Sequence, residues 1–185
     1  QVGQWIGVSR GELGEGIDAG DPKAYQLNAW VYSCVNAISQ AVATAPLVVE
    51  VLRGNEWVPD ENQPLYQLLD YVNTSDDQYQ LIDQTAAWLA LYGNSEWYLL
   101  RTSPGAKPTG IQVLQANLVE PVPGVGKQNP LIAGYDMMTA GGEKVRFDDM
   151  DIVHFKRFNP LSAAVGQAPI RVIETEINTY LAATR

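Results

Sequence analysis

Residues 28–51 read NAWVYSCVNAISQAVATAPLVVEV, and two periodicities meet inside them. After Asn28, a residue suited to capping a helix, apolar side chains fall at Val31, Val35, Ile38, Val42 and Ala45, the three-and-four spacing of one helix face. Pro46 has no N–H to continue the helical ladder and ends it. From Leu47 the period becomes two. Leu47, Val49 and Val51 alternate with Val48, Glu50 and Leu52, Gly54-Asn55 supply a turn, and Glu56-Trp57-Val58 return, which predicts a β-hairpin. Ala24 to Val49 holds no charge over 26 positions, long enough to raise a membrane span. Gln26, Asn28, Ser33, Asn36, Ser39 and Gln40 interrupt it, so an amphipathic helix followed by a strand is expected, with no signal peptide before it and no membrane partner.

Downstream, Pro64 opens a short helix through Leu65, Leu68, Leu69 and Val72. Ser75, three residues before Gln78, has the form of a capping box and launches a second long helix along Tyr79, Ile82, Ala86, Leu89 and Tyr92, closed by a left-handed Gly93. Trp97 to Leu100 and Ile111 to Leu114 read as strands around a Pro/Gly turn, and residues 121–130 (PVPGVGKQNP) as a connector. Tyr135 to Met138, Gly141-Gly142 and Lys144 to Phe147 predict another hairpin, and Ile152 to Phe155 another strand. Pro169 begins a helix with Ile170, Ile173, Ile177 and Leu181 on one side. Helices separated by antiparallel hairpins give an α+β class instead of a regular βαβ alternation. Three regions follow: a flexible, acidic, glycine-rich arm at 1–23, an α+β domain at 24–168, and the start of a long helix at 169–185.

The 185 residues suit one domain, and 46% hydrophobic content with five tryptophans provides a core, which argues against disorder. The net charge of −9 is uneven: residues 1–100 hold three basic and 13 acidic side chains, the remainder nine and eight. Binding to nucleic acid through counterion release needs clustered bases, and the first hundred residues have none. Cys34 is the only cysteine, so an intramolecular disulfide and a CxxC site are excluded and a reducing compartment fits.

Candidate chemistry is sparse. His154, the only histidine, follows Asp148, Asp149 and Asp151, a set able in principle to serve an acidic, metal-dependent enzyme. The alternation of Asp151 and Val153 with Ile152 and His154 favours a solvated acidic turn ahead of a buried strand. Gly14-Glu15-Gly16-Ile17-Asp18-Ala19 matches G-x-G-x-x-A, but Gly20-Asp21-Pro22 follows where a dinucleotide fingerprint needs a helix. Asp76, Asp77 and Asp83 lie at a helix start, where the dipole favours acids. Trp57, Trp88 and Trp97 read as core or subunit-interface anchors. No catalytic residue, metal ligand or cofactor site emerges.

Val31 to Val49, VYSCVNAISQAVATAPLVV, resembles the "VYACVNAIAxxVAxxPLxV" opening of the large portal family of tailed phages. Further stretches follow in that family's order. Pro64 to Leu69 with Asn73 resembles "HPLxxLLxxPN", with Gln63 for the histidine and Val72 for the second proline; Leu91 to Tyr98 resembles "LxGNAYxxI". Val113 to Pro121 is similar to "LxPxxVxP" with Ala116 for proline, Asp151 to Lys156 to "DVLHIK", and Gly166 to Ile170 to "GxSPI" with Ala168 for serine. The matching positions include Val35, Ile38, Pro46, Gly93, Asn94, His154, Gly166 and Pro169.

The resemblance implies the N-terminal, wing-containing part of a portal, with stem and clip beyond this stretch. It implies a structural, non-enzymatic ring, typically of twelve copies, at one capsid vertex. Double-stranded DNA would be packaged and ejected through it with only transient, non-specific contact. The implied partners are the major capsid protein, the terminase large subunit and a head-completion or adaptor protein. The implied location is the virion, with the host cytoplasm during assembly. A portal of a domesticated prophage or gene transfer particle fits the same residues. Trp30, Tyr32 and Trp57 are the expected subunit-interface anchors.

Overall fold

The structure, a computed structural model, describes residues 29–139, 141–173, 176 and 179. The arm at 1–23, the Asn28 cap, the 14–19 glycine motif and the Ile177 and Leu181 helix positions lie outside the described residues. Element order is α1 (Ala29–Ala43), β1 (Glu50–Arg53), β2 (Glu56–Pro59), α2 (Pro64–Asp70), α3 (Gln78–Tyr92), β3 (Asn94–Leu100), β4 (Gly110–Val113), β5 (Val119–Pro123), β6 (Ile132–Met138), β7 (Lys144–Asp148) and β8 (Ile152–Lys156). Short 3-10 turns occupy Asp149–Asp151 and Pro169–Ile173. All strand pairs are antiparallel, in three sheets ordered β1-β2, β4-β3-β8 and β5-β6-β7. The α+β class is therefore as expected.

α3 lies between two packing partners, and this explains where the sequence periodicity misleads. On one side, Val31 and Val35 of α1 meet Leu91, with Ala168 and Ile170 closing the cluster. Another cluster joins Leu81 to Leu69, Val72, Trp97, Ile111 and Val113. The side chains of α3 that become fully buried are Leu81, Thr85 and Leu91, not the predicted Tyr79 line. Thr85 belongs inside because its hydroxyl accepts the Trp97 indole N–H at 2.7 Å and donates to the Leu81 carbonyl at 2.6 Å. An indole N–H buried without an acceptor would cost roughly 1–3 kcal/mol.

The buried line of α1 also differs from expectation. It runs Val31, Val35, Ser39, Ala43, while Ile38 and Val42 are exposed. Ser39 takes the inward place because its hydroxyl donates to the Asp83 carboxylate of α3 at 2.5 Å. The capping box of α3 is Asp77 with Gln80, not Ser75 with Gln78. Asp77 accepts from the Gln80 N–H at 2.9 Å, and the Gln80 side chain accepts from the Asp77 N–H at 2.7 Å. Gln78 turns outward and accepts the Leu47 N–H at 3.0 Å. Gly93 takes the predicted left-handed C-cap, φ 72°.

The expected connector at 121–130 begins as strand β5, which reaches Pro123. Proline cannot donate to a ladder, and β5 is an edge strand, so the missing N–H groups of Pro121 and Pro123 cost no pairing. A third core cluster, Leu114, Val119, Ile132, Tyr135, Ile152 and Ala164, joins the two three-stranded sheets. Among the described residues, no helix is long and apolar enough to cross a membrane.

Candidate functional site

Three segments far apart in the sequence converge where α3 turns into β3. The Gly93 carbonyl accepts the Arg157 N–H at 2.8 Å. Asn94, 1% exposed, accepts the Gly166 N–H through Oδ1 at 2.7 Å and donates through Nδ2 to the Tyr92 carbonyl at 2.9 Å. This pair of bonds fixes the amide orientation. Gly93 and Gly166 lie backbone to backbone: a Cβ at Gly93 would fall on the Gln167 peptide, and one at Gly166 on the Gly93 carbonyl. Both positions therefore require glycine.

His154 on β8 faces this joint. Its Nε2 lies 3.0 Å from Asn94 Oδ1 and 3.4 Å from Glu96 Oε1, two acceptors, so Nε2 carries the hydrogen. Tyr135 of β6 approaches Nδ1 at 3.3 Å. Burial first, then the Glu96 and Asp149 charges, push the Tyr135 phenol up to about 12, so it keeps its proton and can donate to Nδ1. His154 thereby connects the two three-stranded sheets. Sequence reading missed Glu96 as a member, although it is 1% exposed; strand alternation gives no warning of a buried carboxylate opposite a histidine.

The acidic cluster does not assemble around His154. Asp148 pairs with Lys127, and Asp151 accepts from Arg101 Nε at 2.8 Å. Asp149 is buried, contrary to the expected solvated turn, because the backbone N–H groups of Gln128 and Asn129 meet one of its oxygens at 2.6 and 3.0 Å. Burial would raise its pKa, but these bonds and that of the Lys127 backbone outweigh it and hold the group at about 2. The carboxylate thus pins the 126–129 turn. Among the described residues no three His, Cys, Asp or Glu side chains are placed to share a metal ion.

The other candidates distribute by surface. Trp97 is in the core, Trp88 is half-buried, and Trp30, Tyr32 and Trp57 are exposed. Val35 is buried in the α1–α3 seam; Ile38 and Pro46 are exposed; Pro169 opens the short turn at 169–173. Gly93, Asn94, His154 and Gly166 are brought together, and Val35, Ile38, Pro46 and Pro169 are not part of that joint. Phe158 and Leu161, which sequence reading passed over, are 86% and 81% exposed.

A family model described as phage portal protein matches residues 29–185. The chain belongs to the phage portal protein family. This is a structural family, and the joint, with its interlocked backbone and buried amide, is a structural element. An uncharacterized protein of Rickettsia bellii (strain RML369-C) is 30% identical over 170 residues, covering 89% of this chain and 40% of that protein. Among solved structures, the neck of an empty GTA particle computed with C6 symmetry matches with TM-score 0.76 and 24% identity over 98% of this chain and 48% of that chain. The neck of a native GTA particle computed with C12 symmetry matches with TM-score 0.71 and 23% identity, over 91% and 44%. The portal-family chain described here thus spans less than half the length of these relatives.

Proposed function

We propose that this chain is the wing-like part of a portal subunit, with 1–23 as an arm, 24–168 as the wing-like domain and 169–185 leading towards a stem. Copies form a ring, twelve in number, at one capsid vertex. Double-stranded DNA enters and leaves through that ring, which docks the terminase large subunit, the major capsid protein and a head-completion or adaptor protein. The protein works in the virion and assembles in the host cytoplasm. The observation that carries this reading is the family match over 29–185. The joint supports it, because four motif positions from three segments, Gly93, Asn94, His154 and Gly166, meet in one rigid element.

The charge balance supports passage of DNA over retention. Residues 1–100 carry 13 acids against three bases, so a duplex near this half meets repulsion and too few cations to displace its counterions. Electron microscopy of the full-length protein tests the reading: rings with a central hole are the expected result, and monodisperse monomers at every salt and protein concentration would overturn it. The likeness to two GTA necks supports a gene transfer particle as the setting. Sequencing the DNA from purified particles separates the two: host fragments indicate such a particle, a single viral genome an infectious phage.

A further inference from the structure

Two unlike exposed surfaces sit at opposite ends of α3. At its first residue, Gln78 holds Leu47, which links α1 to the hairpin. Here the exposed side chains Ile38, Val42, Leu47, Val48, Leu52 and Trp57 follow one another along the chain. Leu52 and Trp57 are directly paired across the two strands, so the hairpin turns an apolar pair outward. The flanking charges are three exposed acids, Glu50 and Glu56 on the hairpin and Asp77 at the helix cap, against one exposed base, Arg53, whose charge is paired with Asp60. At the other end, the Gly93 cap accepts the N–H of Arg157, which anchors the loop 156–161. A helix of 15 residues separates the two places by about 22 Å.

That loop is built inside out. Its polar side chains brace its own backbone: Asn159 accepts the Leu161 N–H and donates to the Val165 carbonyl, each at 2.9 Å, Ser162 accepts from Ala164 and Val165, and Lys156 donates to Ala163. Its large apolar side chains, Phe158 and Leu161, face solvent almost completely. Two bases, Lys156 and Arg157, precede them, and 156–161 contains no acid. A loop that spends its hydrogen bonds on holding a fixed shape while presenting a phenyl and an isobutyl group outward is preorganised to dock.

We infer that the Phe158/Leu161 knob of one copy docks on the Ile38–Trp57 apolar patch of the next. A second copy is the occupant, because the base-flanked knob and the patch with its excess of acids are complementary in charge as well as in polarity. Their separation along α3 makes the contact head to tail, the kind that closes into a ring. The assignment rests on the portal reading and adds which faces meet.

The test uses the full-length protein, native mass spectrometry and two variants, Trp57→Asp in the patch and Phe158→Asp in the knob. Wild type is expected to give rings and each variant alone only monomers. An equimolar mixture should give one-to-one pairs, since one intact knob and one intact patch remain and no further copy can add. Rings that persist in either variant, or a mixture that stays monomeric, would overturn the assignment and leave the portal reading standing. Absence of rings from wild type would overturn both. Thermal melting checks that the variants fold. Independently, a short thiol-to-amine linker on mixed ¹⁴N and ¹⁵N wild-type protein should join Cys34, one helical turn before Ile38, to Lys156 in peptides carrying both labels. Linked peptides of a single label, or none, would count as refutation.

Discussion

The joint at the end of α3 and the hairpin at its start break the usual rule of burial in opposite ways. Around Gly93 the structure encloses polar groups, Asn94, Glu96 and His154, and ties them to one another and to backbone. In the hairpin it exposes a leucine and a tryptophan. A buried polar network costs desolvation and returns specificity of fold. An exposed apolar pair adds little to the fold and is stabilising only once covered. The difference separates residues that hold the subunit together from residues it leaves on its surface, and substitutions can sharpen or break that division.

The largest effect is expected at the joint's backbone. Gly93→Ala would need a left-handed alanine whose Cβ meets the Gln167 peptide, and should cost more than about 4 kcal/mol in denaturant unfolding. A loss below about 1 kcal/mol would show that the two segments are not locked together. Next comes Asn94→Ala, which strands the Gly166 N–H in the interior and leaves the His154 Nε2–H only its longer contact with Glu96; roughly 2 kcal/mol is expected by the same measurement.

Asp149→Asn should cost roughly 2 kcal/mol at neutral pH, where a charged acceptor holds the 126–129 turn. Because the folded carboxyl titrates at about 2, below an unfolded value of about 3.9, its contribution is complete above the higher value and disappears as pH falls through the lower. The gap between wild type and variant should therefore close across that window in acid titrations followed by circular dichroism. The smallest effect on folding is expected at Trp57→Ser, within about 0.5 kcal/mol in thermal melts of dispersed subunits, with self-association lost. A drop of more than about 2 kcal/mol would place Trp57 in the core and erase the contrast with the joint.

Much of this architecture was legible in the sequence. Pro46, Gly54 and Gly93 mark where the chain must stop or turn, and the helix, hairpin and strand assignments around them agree with the structure. What the pattern could not show is a polar residue placed inside because its partner is remote. Ser39 answers to Asp83, 44 residues away, and Thr85 to the Trp97 indole. In each case the apolar periodicity pointed to a neighbouring face. β5 was hidden because two prolines in five residues look like a connector until the strand is known to lie at an edge. The joint was visible as separate motifs, yet the contacts that unite Asn94, His154 and Gly166 span up to 72 residues and leave no local trace.

That span constrains the order in which a nascent chain can mature. Leaving the ribosome, α1 and α3 can find each other early, but Ala168 and Ile170 complete their seam only after the last strand has been made. Until then Asn94 lacks the amide it was placed to receive. A polypeptide truncated before residue 166 would keep both helices and lose the latch, making it a candidate for chaperone capture and proteolysis.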